Sequence, residues 1–188
     1  MKQIRISEVT MKKALSLSFR EKNEMSKLLD KLGVDLIELE PITQPKIDSL
    51  LVKSIASAVR HRAIAVPVSL HTASVRMTYP AHPGATPPRL QVSAPVSPVQ
   101  MEYLHHTKPD AMLAAVRQTI ADCLALCPDV EFVADDATRS DRAFLYEIVR
   151  TAIAAGAATG TVCDTAGAML PNEFTAYLRE LYANFPEL

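Results

Sequence analysis

The chain has 188 residues, a formal net charge of -1 and 48% hydrophobic residues, which suits one globular domain over residues 1–188. The balanced charge excludes a basic nucleic-acid-binding surface, and no apolar run approaches the roughly 20 residues of a membrane-spanning helix. Three cysteines are too few for a disulfide framework. We therefore expect a cytoplasmic protein with no nucleic-acid or membrane partner.

The first third of the chain alternates strand-forming and helix-forming segments. Residues 4–10 and 34–39 are β-prone, and a helix between them begins at a capping box formed by Ser18 and Glu21 and ends at Gly33. A second helix begins at Pro45, and residues 64–70 form a third strand.

The next segment interrupts this alternation. Residues 72–77 allow one or two turns of helix, but four prolines between Pro80 and Pro88 forbid a regular helix. We interpret the proline segment as a surface loop that replaces most of a helix.

Three more strand-helix units follow. Strands are predicted at 90–96, 130–134 and 159–163, and helices begin at Pro109, Asp141 and Pro171. Six successive units indicate a parallel sheet with right-handed crossovers. Two architectures fit: an open doubly wound sheet, or an eight-unit barrel cut short, since a closed barrel takes about 250 residues.

Polar residues gather where the predicted strands end, which is where parallel α/β folds place their chemistry. In strand order, these residues are Glu8, Thr10, Lys12 and Lys13; Glu38 and Glu40; Ser69 and His71; Ser97 and Gln100; Asp135, Asp136, Thr138 and Arg139; Asp164 and Thr165. The chain has only five glycines and no glycine-rich turn after the first strand, so the usual phosphate loop is not supported.

The fifth unit carries the most specific motif, Val-Glu-Phe-Val-Ala-Asp-Asp-Ala-Thr-Arg-Ser-Asp at 130–141. Together with Asp-Thr-Ala-Gly at 164–167, Leu-Pro-Asn-Glu-Phe at 170–174 and the segment 97–103, it resembles the isopropylmalate synthase and homocitrate synthase family. These enzymes are metal-dependent, acyl-CoA-condensing TIM barrels. The resemblance implies a partial TIM-type (β/α) barrel of about six parallel strand-helix units.

The resemblance also implies a chemistry, in which a divalent metal polarises a 2-oxo acid and the enolate of an acyl-CoA attacks its carbonyl group. The family's Asp-x-Thr-Leu-Arg-Asp-Gly segment aligns with residues 8–14, so Lys12 replaces the catalytic arginine and Lys13 replaces a metal-binding aspartate. The His-x-His strand that supplies the other ligands has no counterpart here. We therefore expect no metal on this chain alone.

Other family positions are kept or only moderately changed. The acid after the fifth strand is Asp135, the fourth-strand histidine is Gln100, and the threonine that contacts the oxo-acid carboxylate is Thr165. Lys12 and Asp135 are the candidate catalytic residues. The candidate substrate-binding residues are Thr165, Gln100, Ser97 and Glu40.

We hypothesise that Lys13, or Lys12, places an ammonium near the vacated metal position and neutralises Glu40 or Asp135. The alternative is that both lysines are solvated loop residues. Asp136 or Ser140 could instead cap the following helix. Cys123 and Cys127 lie on an apolar stripe and are expected in the core, whereas a nucleophilic role remains open for Cys163.

Three functions remain open from the sequence. The chain could be the amino-terminal part of a 2-oxo-acid acyltransferase whose missing strands come from a longer chain or a partner chain. It could be a non-catalytic subunit or a small-carboxylate-binding module. It could be an aldolase or lyase that uses Lys12 or Lys13 to form an imine. Because six strands leave two open edges, we also expect a homo-oligomer or a partner chain that completes the barrel.

Overall fold

A computed structural model describes residues 4–13, 16–81 and 88–185. Six strands form one sheet in the order β1-β2-β3-β4-β5-β6, and every neighbouring pair is parallel. The strands are β1 Ser7–Glu8, β2 Leu36–Glu38, β3 Ala63–Val68, β4 Pro88–Pro95, β5 Val130–Asp135 and β6 Thr159–Val162.

In the described ranges, seven α-helices connect and follow the strands. They are α1 Thr10–Lys13, α2 Phe19–Leu32, α3 Pro45–Ala58, α4 Thr72–Thr78, α5 Pro109–Leu124, α6 Arg142–Ala154 and α7 Pro171–Asn184. A doubly wound sheet reverses its strand order at a switch point, and this sheet has none. The sheet therefore curls into part of a TIM-type barrel, as the resemblance implied.

The predicted helix boundaries are confirmed where the sequence carries explicit signals. The Ser18 hydroxyl accepts the Glu21 N–H and the Glu21 carboxylate accepts the Ser18 N–H, which forms the predicted capping box. Gly33 ends α2 with φ of 90°, a left-handed conformation that disfavours residues with a side chain.

One local expectation was wrong, and one element was not anticipated. The predicted strand over residues 4–10 is only Ser7–Glu8, because the Glu8 carboxylate accepts the Thr10 N–H at 3.0 Å and the chain turns there into α1. The segment Gln100–Leu104 is a π-helix that the sequence pattern did not indicate.

The proline segment can be followed only in part. Residues 72–78 form α4, as expected, and Tyr79–Ala81 form a 3-10 turn with Ala81 buried. The remainder of the predicted surface loop, residues 82–87, lies outside the described residues.

The two faces of the sheet differ in polarity. Side chains on the outer face alternate along the strands and pack against the helices as the hydrophobic core; examples are Val92, Phe132 and Ala134 with Ile120 of α5 and Ile148 of α6. Cys123 and Cys127 are fully buried in this core, as predicted. Burial raises the pKa of the Cys123 thiol to about 12, so it stays a neutral packing group.

The inner, concave face carries polar side chains instead. On β4 and β5 these include Arg89, Gln91, Ser93, Glu131 and Asp135, which alternate with the apolar outer residues. The helices thus stabilise the sheet from outside, and the inner face is left for chemistry. Among the described residues, no helix is long and apolar enough to cross a membrane.

Replacing a core isoleucine tests this packing. Ile120→Ala in α5 should lower the free energy of unfolding by about 2–5 kcal/mol, because Ile120 is fully buried and the change leaves a cavity. Urea unfolding followed by circular dichroism measures it.

The matched control is Ile47→Ala, the same change in α3 at an exposed position. It should change the unfolding free energy by less than about 0.5 kcal/mol. Equal losses in the two variants would contradict the assigned core.

Candidate functional site

Lys12 and Glu38 form an ion pair at the carboxyl edge of the first two strands. The Lys12 ammonium lies 3.0 Å from Glu38 Oε2, and the Ser7 hydroxyl donates to Glu38 Oε1 at 2.7 Å. Burial opposes the charge of Glu38, but hydrogen bonds from Ser7, Lys12 and Gln91 outweigh it and hold the pKa of that carboxyl below its ordinary value. The Glu38 carboxyl is therefore ionised at neutral pH.

A buried polar network continues from this pair across the concave face. Gln91 Nε2 donates to Glu131 Oε2 at 3.1 Å, and the Thr161 hydroxyl donates to Glu131 Oε1 at 2.5 Å. Arg89 lies 3.7 Å from Glu131 and bonds Asp129 at 3.0 Å. Hydrogen bonds thus link β4, β5 and β6 on their inner side, and in the described part of the chain Gln91 Oε1 has no hydrogen-bond partner.

Asp135 ends β5 on the same inner face and accepts a hydrogen bond from the Ser93 hydroxyl. It is half-buried, and no cationic side chain contacts it within the described ranges. Burial raises the pKa of the nearby Cys163 thiol to about 11; the charge of Asp135 adds to this rise and the charge of Lys12 opposes it. Lys12, Asp135 and Cys163 therefore share one electrostatic environment, in which the neutral thiol is a poor nucleophile.

Asp136 joins the tips of β4, β5 and β6. It is fully buried and has φ of 60°, a left-handed conformation that is uncommon outside glycine. Its carboxylate accepts the Ser97 hydroxyl at 2.5 Å and two bonds from Arg139, at 2.8 and 2.6 Å. Its backbone N–H donates to Thr165 Oγ1 at 2.9 Å.

These contacts determine the charge of Asp136 and decide which hydroxyl groups at this edge can donate a hydrogen bond. The Arg139 hydrogen bonds, followed by the Ser97 bond, hold the pKa of Asp136 below its ordinary value although burial opposes this. Thr165 uses an oxygen lone pair on Asp136, so its hydroxyl proton is available for another acceptor. Ser97 is fully buried and its proton is already donated, so it orients Asp136.

Of the other two candidate residues, Glu40 pairs with a different helix and Gln100 contacts this cluster through its backbone. Glu40 binds Lys22 of α2 at 2.8 Å, and one of its oxygens, Oε1, is buried without a partner. Gln100 begins the π-helix, is half-buried, and donates its backbone N–H to Ser97 Oγ at 3.2 Å. Their roles in substrate binding stay predictions.

The structure revises the lysine hypothesis. Lys12 does place an ammonium at the edge of the inner face, but its partner is Glu38, whereas Glu40 is neutralised by Lys22. Asp135 is held by a hydroxyl group rather than by a lysine. Lys13 is exposed at the end of α1.

The capping alternative for Asp136 and Ser140 was also wrong. Asp141 caps α6 by accepting the Phe144 N–H at 3.0 Å, which leaves Asp136 to bond Ser97 and Arg139. Ser140 donates instead to the Val96 carbonyl at 2.7 Å and so ties β5 to β4.

Sequence reasoning missed the inner network of Arg89, Gln91 and Glu131. A signal was present, because polar residues at 89, 91 and 93 alternate with apolar ones, as expected for a strand with one polar face. Lys22 gave no such signal, since a lysine in an amphipathic helix is usually solvent-exposed.

Comparison with known sequences identifies the protein family of this chain. The sequence profile of the HMGL-like family matches residues 8–188. This chain belongs to the HMGL-like family. It is 32% identical over 173 residues to a 2-isopropylmalate synthase of Aquifex aeolicus and 35% identical over 159 residues to one of Caulobacter sp..

These alignments cover 92% and 85% of this HMGL-like chain, but only 33% and 30% of the two synthases. The chain therefore spans about a third of the length of these relatives. The activity of the whole synthases belongs to those longer proteins.

Solved structures with the same fold include enzymes of other names. The HMG-CoA lyase of Bacillus subtilis superposes with a TM-score of 0.76 at 17% identity, covering 99% of this chain and 66% of the lyase. A phosphonopyruvate hydrolase complex with oxalate and Mg²⁺ gives a TM-score of 0.60 at 13% identity, covering 82% and 59% of the two chains. At these identities the likeness supports the fold alone.

HMGL-like proteins generally depend on a divalent metal, so the donor atoms of this chain must be tested against one. At the aligned ligand position Lys13 offers a cation, and the neighbouring Glu38 is already bound by Lys12. Divalent hard cations need several oxygen ligands. Within residues 4–13, 16–81 and 88–185, no group of three or more His, Cys, Asp or Glu could hold a metal ion. The residues described do not fit the metal.

Neutralising Asp136 tests the junction of the three strand tips. Asp136→Asn keeps a residue type that tolerates φ of 60° but removes the charge that binds Arg139. It should lower the free energy of unfolding at pH 7 by about 1–3 kcal/mol.

The stability difference between wild type and Asp136→Asn should depend on pH. The folded-state pKa of Asp136 is lowered from 3.8, so its stabilisation is present above that value and is lost as the pH falls through the folded pKa. Wild type and variant should therefore converge on acidification. The control Glu147→Gln, at an exposed position in α6, should stay within about 0.5 kcal/mol of wild type at all pH values.

Proposed function

We propose that this chain is a metal-independent relative of the condensing enzymes that binds a small 2-oxo carboxylate at the carboxyl edge of its sheet. By itself it does not catalyse condensation. The observation that carries the proposal is the Lys12–Glu38 ion pair. Lys12 supplies its positive charge at the aligned position where relatives have an arginine next to a metal-binding acid.

Lys12 supplies the positive charge in this proposal. Its side chain is 29% exposed, so the ammonium can contact a ligand while Glu38 holds one of its protons. An ammonium has three donors and attracts a carboxylate or a polarised carbonyl oxygen as a point charge. The ammonium cannot hold two oxygens of a 2-oxo acid in the fixed geometry that a metal imposes. We therefore expect the chain to bind the 2-oxo acid without efficient catalytic turnover.

Thr165 supplies a directed hydrogen bond. Since its oxygen accepts the Asp136 N–H, its hydroxyl proton can be donated to a ligand oxygen. Arg139 is exposed and donates two hydrogen bonds to Asp136, and Asp136 in turn bonds Thr165. The tips of β5 and β6 are therefore linked before a ligand arrives. Such preorganisation reduces the entropy lost on binding.

A second candidate is favoured by the 32–35% identity to 2-isopropylmalate synthases. In that case the chain is the amino-terminal part of a 2-oxo-acid acyltransferase that condenses an acyl-CoA with its substrate when further strands supply a metal site. Acyl-CoA-dependent release of free thiol by this chain, alone or with a co-expressed companion, discriminates the two functions.

The imine-forming lysine has less support. A lysine that attacks a carbonyl must present a free, uncharged amine, and the Lys12 nitrogen is engaged by the Glu38 carboxylate at 3.0 Å. Borohydride should therefore trap no adduct on Lys12 or Lys13 with pyruvate.

Replacing Lys12 tests the proposed binding. Lys12→Gln should weaken the binding of pyruvate or a larger 2-oxo acid by at least about tenfold, the loss expected when one charge-assisted hydrogen bond disappears. Isothermal titration calorimetry of the folded variants measures it.

The matched control is Lys27→Gln, which removes a lysine from an exposed Lys27–Glu24 pair on α2. It should bind the 2-oxo acid as wild type does. Absence of binding by wild type across a panel of 2-oxo acids would contradict the proposed function, and equal affinity of the two variants would exclude Lys12 from it.

Metal titration provides a separate test. Calorimetry with Mg²⁺ or Mn²⁺ should show no micromolar binding, because Lys13 stands at the aligned position of the metal-binding acid and Lys12 at that of the neighbouring arginine. Micromolar binding of either ion would contradict the proposed metal independence and favour the acyltransferase candidate.

A further inference from the structure

The six-stranded sheet has two different open edges. Among the described residues β1 pairs only with β2 and β6 pairs only with β5. Unpaired edges of a parallel sheet expose backbone hydrogen-bonding groups that another strand can satisfy. Because the strands are parallel, β1 of one copy could pair with β6 of another in the same strand direction. The inner face of each sheet would then continue the inner face of the other.

The β6 edge is bordered by an apolar groove on the outer side of the sheet. The groove has a volume of about 320 Å³. It runs between the strand and α7 and is lined by Val162 of β6, Phe132 of β5, Leu178, Leu181 and Tyr182 of α7, and Phe185 just after α7. Helix α7 is held against α6, because Phe185 contacts the Tyr146 ring edge-on and Arg142 lies 4.4 Å over the Tyr177 ring.

The β1 edge presents apolar side chains in a matching position. Ser7 points to the inner face, where it bonds Glu38, so the alternating residue Ile6 points outward. Ile6 is 60% exposed. A strand added beside β6 in the direction of the sheet would direct such outward side chains into the groove.

Helix α2 adds a second apolar patch on the same side. Asn23 bonds Ser54 of α3, and Asp30 bonds the backbone at Arg60 and His61, so these two residues mark the α3-facing side of α2. Leu28 and Leu32 lie about 140–180° around the helix from them. They are 58% and 73% exposed on the side of α2 that faces away from α3.

We propose that β1 of one copy of this chain pairs in parallel with β6 of a second copy. Ile6 enters the groove beneath α7, and Leu28 and Leu32 of α2 pack against α7 of the neighbouring copy. Pairing of two β6 edges would leave Ile6, Leu28 and Leu32 in water, so only the β1-to-β6 arrangement covers both apolar surfaces. The proposal does not depend on the proposed carboxylate binding.

The first experiment compares two matched double variants of the full chain by sedimentation velocity. Leu28→Glu with Leu32→Glu should weaken self-association by at least about tenfold, because two carboxylates would be buried against α7. Ile47→Glu with Leu50→Glu makes the same change on α3, at positions 59% and 62% exposed, and should associate as wild type does. Circular dichroism confirms that both variants are folded.

The second experiment identifies the edges that meet. Ile6→Cys and Tyr182→Cys are made separately in a Cys163→Ser background, because Cys123 and Cys127 are buried and Cys163 is the more accessible thiol. A short bis-maleimide should cross-link the mixture of the two variants far more than either variant alone.

The outcomes decide between the alternatives. Concentration-dependent association, its loss in the α2 variant alone, and cross-linking of the mixture support the proposal. A monomeric wild type overturns it and points to a partner of different sequence. Cross-linking of the Tyr182→Cys variant with itself overturns it in favour of β6-to-β6 pairing.

Discussion

The packing of helices against the outer face of the parallel sheet is the constraint on which the rest of the molecule depends. The outer side chains of the central strands β3, β4 and β5 are buried by helices such as α5 and α6. Because this packing provides the stability, the inner face is free to carry polar residues. Closed barrels of this kind usually fill their interior with branched apolar side chains. Here Gln91, Glu131 and Thr161 occupy it and are held by hydrogen bonds between strands.

Charge at the carboxyl edge is organised by pairing. Lys12 neutralises Glu38, Lys22 neutralises Glu40, and Arg139 neutralises Asp136. Each cation lies on a helix or turn after a strand and each carboxylate lies at or beyond a strand end, so the pairs also fix the loops. A buried carboxylate without such a partner would be costly. The pairs therefore balance the charge of the carboxylates at this edge.

Family membership and chemistry separate in this chain. The motif around Asp135 and Asp136 is kept, and the structure shows that Asp136 bonds Ser97, Arg139 and Thr165 at three strand tips. Residues with this architectural role explain the match over residues 8–188. The aligned position of the metal-binding acid, in a separate motif after β1, holds Lys13.

The sequence by itself determined the six strand-helix units, the capping box at Ser18 and the buried cysteines, because periodicity and capping are local properties. It also placed Lys12, Asp135 and Thr165 at strand ends. Tertiary structure alone decided the partners. Glu38 rather than Glu40 meets Lys12, and Asp136 bonds Ser97 from 39 residues away instead of capping α6. Such contacts depend on how far the sheet curls and which strands become neighbours, and no local pattern encodes either.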